Sequence, residues 1–293
     1  MYKQLILLCG LLFLGALPGM AQAVKKKPVT GNKSLLWKVS GKGLKQPSYL
    51  FGTLHIICPS DYLWTAAMQK ALDASKKVVF EMDMDDPSLQ SRMTAGMMLK
   101  DGKTLKDFYT EEEYKQLTGI ATQNNIPLQM MQGFSPFALV SFLYLKAITC
   151  TIPESYEGNI TKLAAKQHKE VLGLETVEDQ VKVIEAINVD SIAKAVLRIA
   201  GDLDSFRLTY AQMLAVYKQQ DMPALYQQII ESPDYKDDLN TLLFDRNKKW
   251  VPAIIDMAKA QPVFVAVGAG HLWGDKGVIA LLRQEGYTVE PVR

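Results

Sequence analysis

Histidine is scarce in this 293-residue chain: His55, His168 and His271 are the full set. A centre built on four imidazoles is therefore excluded, and one built on three would use every histidine. Cysteine is equally sparse, with Cys9, Cys58 and Cys150 in no C-x-x-C spacing. That excludes a cysteine-based zinc site and a dithiol redox motif. No Gly-x-Ser-x-Gly elbow of a serine hydrolase occurs, and no helical His-Glu-x-x-His zinc motif. Tandem repeats and low-complexity tracts are absent as well. With 48% hydrophobic and 22% charged residues, the composition excludes intrinsic disorder, collagen-like repeats and a small disulfide scaffold.

The one long apolar stretch is at the start. Lys3 precedes uncharged residues from Leu5 to Leu17, and Pro18-Gly19-Met20-Ala21-Gln22-Ala23 follows. A basic beginning, a short apolar centre and an A-x-A end are the parts of a secretory signal peptide. The stretch is too short to cross a bilayer, which needs about 20 residues. Cleavage is expected after Ala23, giving a secreted or periplasmic protein with no stable membrane span and one domain over residues 24–293. Removing Cys9 leaves Cys58 and Cys150 in an oxidising compartment, where they could pair or remain buried thiols.

Charge is unevenly distributed. Seven lysines and no acid lie between Val24 and Ser60, and the first carboxylate is Asp61. Lys25-Lys26-Lys27 and its neighbours lack interleaved aromatics and arginines, so the segment reads as a solvated leader with no nucleic-acid partner.

Short apolar runs then alternate with helical patterns. Leu35 to Val39 and Tyr49 to Gly52 read as paired strands, Tyr62 to Ser75 as a helix and Val78 to Phe80 as a buried strand. Residues of about 87–165 are mostly helical: Asp86-Pro87 opens one helix, and Thr110 with Glu113 forms a capping box. Val171 to Leu174 is a strand followed by a helix from Thr176. Residues of about 190–260 read helical again, broken at Pro223, Pro233 and Pro252. Pro262 to Val267 is the most strand-like run, and a helix at 275–284 and a strand at Tyr287–Val292 close the chain. The alternation predicts an α/β fold, with a mainly parallel central sheet, helices on both faces and a large helical insertion.

Four polar residues stand at the ends of four predicted strands: His55, Glu81, Glu175 and His271. In open α/β sheets ligands bind outside the carboxyl ends of the strands. If these strands are parallel neighbours, two imidazoles and two carboxylates converge on one rim, a ligand set suited to Zn, Mn, Fe or Co. The histidines share a context, Gly52-Thr53-Leu54-His55 and Gly268-Ala269-Gly270-His271. Such a match arises by accident in roughly 1% of chains of ordinary glycine content. Glycine there would let the backbone turn and a metal approach closely. The plainer alternative is that each histidine caps a strand end. Glu81 opens the acidic run Met82-Asp83-Met84-Asp85-Asp86, whereas Glu175 precedes a helix that Thr176 can cap alone. His168 lies in a polar helical stretch and reads as a surface residue. Gly268-x-Gly270-x-x-x-Gly274 departs from the dinucleotide fingerprint, and His271 and Trp273 fill the turn where a pyrophosphate needs bare backbone.

At these residues the chain resembles the TraB/GumN family, whose relatives include the Tiki-type metalloproteases. The marks run from about Leu36 to Val292: Phe51-Gly52-Thr53-Leu54-His55, Val79-Phe80-Glu81-Met82-Asp83, Leu172 through Gln180, Arg246-Asn247-x-x-Trp250, and Gly268-Ala269-Gly270-His271-Leu272-x-Gly274. One departure is Gly158-Asn159-Ile160, where many relatives carry Gly-x-Asp. The resemblance implies that His55, Glu81 and His271 hold a divalent metal (Mn, Co or Zn) and that Arg246 faces the same site. It also implies a metal-dependent hydrolase acting on peptide or protein substrates. In that scheme Glu81 or Glu175, whichever is not a ligand, accepts a proton from water, and Arg246 stabilises the oxyanion. The alternative is a non-catalytic protein that binds a peptide, polysaccharide or haem-like ligand on the same rim.

Overall fold

The computed structural model describes residues 33–232 and 236–293. The signal peptide, the Lys25–Lys27 cluster and the break expected at Pro233 lie outside the described residues.

Six strands form one sheet in the order β4-β3-β5-β2-β1-β6. They are β1 (Leu36–Ser40), β2 (Ser48–Thr53), β3 (Lys77–Phe80), β4 (Glu170–Gly173), β5 (Val263–Gly268) and β6 (Thr288–Pro291). The β4-β3-β5-β2 core is parallel throughout. β1 runs antiparallel to both β2 and β6. Every residue of β5 is buried, so both faces of the sheet are covered there, as the continuous apolar run Val263–Val267 requires.

The predicted pattern of elements is present, with ends shifted by a few residues. Helix α1 (Ala66–Ala74) starts later than its amphipathic pattern, because Thr65 supplies the cap by accepting from the Met68 amide. The helical middle comprises α2 (Leu89–Gly96), α3 (Glu111–Gln123), α4 (Pro136–Ala147) and α5 (Tyr156–Lys166). Thr110 accepts from the Glu113 amide while Glu113 accepts from the Thr110 amide, the reciprocal cap expected of that spacing.

After β4 come α6 (Val177–Ala186), α7 (Val189–Gly201), α8 (Leu203–Lys218), α9 (Met222–Ile230), α10 (Asp245–Ala260) and α11 (Val278–Gln284). Pro223 falls in the first turn of α9, where its missing N–H costs no hydrogen bond. Pro252 does not break its helix as expected, since α10 continues through it. Its ring lies on the exposed face, where water can satisfy the carbonyl left without an amide partner.

Cys58 and Cys150 form a disulfide, with Cα atoms 5.8 Å apart. Beside it Ile57 and Glu154 exchange backbone hydrogen bonds of 2.9 and 2.8 Å. The two links clamp the loop leaving β2, which carries His55, to the segment that starts α5.

Candidate functional site

The four strand ends meet because their strands are parallel neighbours: Glu175 follows β4, Glu81 follows β3, His271 follows β5 and His55 follows β2. The paired Gly-x-x-His segments lie side by side, with Thr53 opposite Gly268. The structure gives Gly52 a different use from the one expected. A Cβ there would come within 3.2 Å of Ala269 and Leu272, so this glycine admits the neighbouring motif rather than a ligand.

Arg246 occupies the centre. It projects from the first turn of α10, immediately after a π-helical turn at Asn240–Phe244, and is 2% exposed. Its Nη2 donates to Glu81 Oε2 at 2.6 Å and to Glu175 Oε1 at 2.5 Å. Nε also donates to Glu175, and Nη1 donates to the Leu242 carbonyl at 3.0 Å. Nη1 is 3.2 Å from His271 Nε2. One turn along the helix, Trp250 packs its ring 4.7 Å from the guanidinium and donates its indole N–H to Glu175 at 3.1 Å. The i, i+4 spacing brings the two side chains onto one face.

The tautomer of His271 follows from Asn247. The Asn247 amide nitrogen donates to the carbonyls of His271 and Lys276, at 3.2 and 2.9 Å. Its Oδ1 is thereby the acceptor for His271 Nδ1–H at 2.7 Å, which leaves Nε2 as the lone-pair nitrogen turned towards Arg246. Burial pushes the imidazole well below its ordinary range, and Arg246 and His55 add to this against the pull of Glu81.

His55 is held by a carboxylate instead. Its Nδ1 is 2.9 Å from Glu157 Oε1, to which Thr53 Oγ1 also donates at 2.6 Å. Burial disfavours the charged ring, but Glu157 outweighs it with help from Glu81, raising the pKa to about 8. Burial alone would raise the Glu81 carboxyl. Arg246, His271, His55 and the Gly268 amide, which donates to Oε1 at 2.9 Å, hold it at about 2. Gln180 donates to the other oxygen of Glu81 at 3.2 Å.

Of the cavities lined by residues of this cluster, two bear on the site. One of about 20 Å³ is lined by His55, Glu81, Met82, Met84, Glu157 and Gln180, room for one water or ion. The other, about 300 Å³, is lined by Leu174, Glu175, Lys182, Arg246, Lys249 and Trp250 among others. The ion pair of Glu81 with Arg246 joins them.

In kind, the donors fit a divalent cation. Two imidazoles whose Nδ1 atoms are fixed by oxygen partners, beside an ionised carboxylate, are the chemistry of a two-His, one-carboxylate site. In spacing, the arrangement closes around the guanidinium. Among the described residues, no group of three or more His, Cys, Asp and Glu side chains is arranged to hold a metal ion.

All five nominated residues, His55, Glu81, Glu175, Arg246 and His271, therefore converge. His168 is exposed at the end of α5 with φ of 52°. Of the acids after Glu81, Asp86 accepts from Ser88 and Arg92. Sequence reasoning missed Glu157 and gave Asn247 no role. Glu157 sits in the first turn of α5, where acids commonly offset the helix dipole, so its position carried no signal of its own. Ile160 is fully buried in the core, and the acid that reaches His55 is Glu157, three residues earlier on the same helix.

Comparison with known proteins adds to this geometry. The model of the TraB/PrgY/gumN family matches residues 35–291. Metalloprotease TIKI2 of Danio rerio is 25% identical, over 98% of this chain and 67% of its own. Metalloprotease TIKI1 of Homo sapiens is 23% identical, over 93% and 65%. A metalloprotease TIKI homolog of Nematostella vectensis is 23% identical, over 91% and 68%. The chain thus spans about two thirds of the length of these relatives. No solved structure matches it.

Proposed function

The chain belongs to the TraB/PrgY/gumN family, and from that membership we propose that it is an exported metal-dependent hydrolase acting on peptides. The observation that carries the reading is the convergence of His55, Glu81 and His271 beside Arg246 and Glu175, at the carboxyl ends of four parallel strands. The metalloprotease names of the relatives support the reaction class.

His55, Glu81 and His271 would hold the cation, Mn, Co or Zn. Such an ion supplies Lewis acidity at the scissile carbonyl and makes a neutral-pH nucleophile of water. Burial keeps His271 neutral, Asn247 fixes its tautomer with Nε2 inward, and Glu157 orients His55 through Nδ1. Glu175 lines the larger cavity and can take the proton of an attacking water there. Arg246 lines the same cavity and can donate to the developing oxyanion.

Cleavage of a peptide library by the purified protein, with and without chelator, tests this reading. Cleavage that chelator abolishes and Mn, Co or Zn restores is expected; cleavage indifferent to chelator contradicts it. One observation favours a second reading, a non-catalytic binder on the same rim: Arg246 already pairs with both carboxylates. Retention of library peptides without cleavage, under every metal, would select that reading.

A further inference from the structure

We infer that the Arg246 guanidinium is a latch on the cation site: it and the cation are alternative partners for Glu81 and His271, so the cation binds only as the guanidinium swings back onto Glu175. The inference rests on the metal-site reading above and concerns what controls that site.

Arg246 makes contacts on two sides, with Nη2 shared between them. Towards the strand ends, Nη2 holds Glu81 at 2.6 Å and Nη1 lies 3.2 Å from His271 Nε2. These are two of the three atoms groups that a cation would need, and a cation and a guanidinium cannot both sit against them at contact distance. Towards α10, Nε donates to both oxygens of Glu175, at 3.1 and 3.2 Å, Nη2 donates to Glu175 Oε1 as well, and the guanidinium stacks on Trp250.

The second set can persist when the first is given up. Glu175 and Trp250 both line the 300 Å³ cavity into which the guanidinium would withdraw. Trp250 in turn donates to Glu175, which keeps that carboxylate in place as the retained partner. The π-helical turn at Asn240–Phe244 adjoins Arg246, and its Leu242 carbonyl accepts from Nη1. Such turns recur at functional sites. The latch also accounts for the way the donors fit a cation in kind while closing around an arginine.

Calorimetric titration of metal-free protein with MnCl₂ tests the latch. Arg246→Met is expected to bind Mn²⁺ at least about tenfold more tightly than the wild type, because the competing buried charge is gone. Arg246→Lys keeps the charge but not the reach to three partners, and is expected to lie between; if Arg246→Met does not fold, Arg246→Lys alone decides. A second readout is tryptophan emission. Zn²⁺ should change it in the wild type as the guanidinium moves relative to Trp250, and the change should be absent from Trp250→Phe.

If His271→Ala abolishes wild-type binding while both arginine variants bind no more tightly than the wild type, the latch is overturned and the metal site stands. If no form binds Mn²⁺, both are overturned.

Discussion

Glu157 accepts a 2.9 Å hydrogen bond from His55 Nδ1 across 102 residues of sequence, and Asn247 Oδ1 plays the same part for His271 at 2.7 Å. The two Gly-x-x-His segments are alike in sequence, yet their imidazoles are held by different chemistry: a charged partner for His55 and a neutral one for His271.

Glu157→Gln should weaken the hold on His55 without emptying the space. Partners of this kind set the orientation of a ligating imidazole, so a loss of about 10–100-fold in metal affinity is expected, with little change in fold. Metal titration beside a circular dichroism spectrum checks it; unchanged affinity would remove Glu157 from the site.

Asn247→Leu removes the acceptor for His271 Nδ1–H and the donor to two carbonyls. Buried polar groups left unmatched cost about 1–3 kcal/mol each. The variant should unfold at clearly lower urea concentration than the wild type, and an unchanged midpoint would contradict the hydrogen bonding described for Asn247.

The Cys58–Cys150 disulfide closes a loop with a sequence separation of 92 residues. The chain-entropy argument assigns a loop of that length about 4–5 kcal/mol. The double variant Cys58→Ala, Cys150→Ala should lose much of the stability margin and loosen the His55 loop. Alkylation of the unreduced, unfolded protein should label neither cysteine, and labelling of either would contradict the pairing.

Glu81 is ionised in the fold, with its carboxyl held at about 2 against an ordinary value of 4.5. A depressed carboxyl contributes stability that is present above the unfolded value and lost as pH falls through the folded one. In metal-free protein, the stability gap between wild type and Glu81→Gln should therefore be full above pH 4.5 and shrink towards pH 2. Urea midpoints measured across that range check it, and a gap independent of pH would contradict the charged pairing with Arg246.

Much of this was legible in the chain. Buried parallel strands have to be apolar along their length, so Val78–Phe80 and Val263–Val267 announced themselves, and the polar residue ending each run marked the rim. The Thr110 cap was readable because its chemistry is local. Contacts made by tertiary packing were less visible. Nothing near Glu157 in sequence distinguishes it from an acid that offsets a helix dipole, and its role exists only because the disulfide and the Ile57–Glu154 bridge bring α5 to the end of β2. Arg246 was nominated by resemblance alone, since a lone arginine in a helix reads as surface until the ion pairs that bury it are known. The antiparallel placement of β6 against β1 was likewise unmarked, because a short closing strand has the same pattern on either edge of a sheet.

The central claim is that His55 and His271 serve one metal site, and elemental analysis after loading with Mn, Co or Zn and exhaustive dialysis tests it most directly. The account predicts about one metal per chain in the wild type, and little or none in His55→Ala or His271→Ala. Equal metal content in all three proteins, or none in the wild type under any of the three loadings, would contradict it.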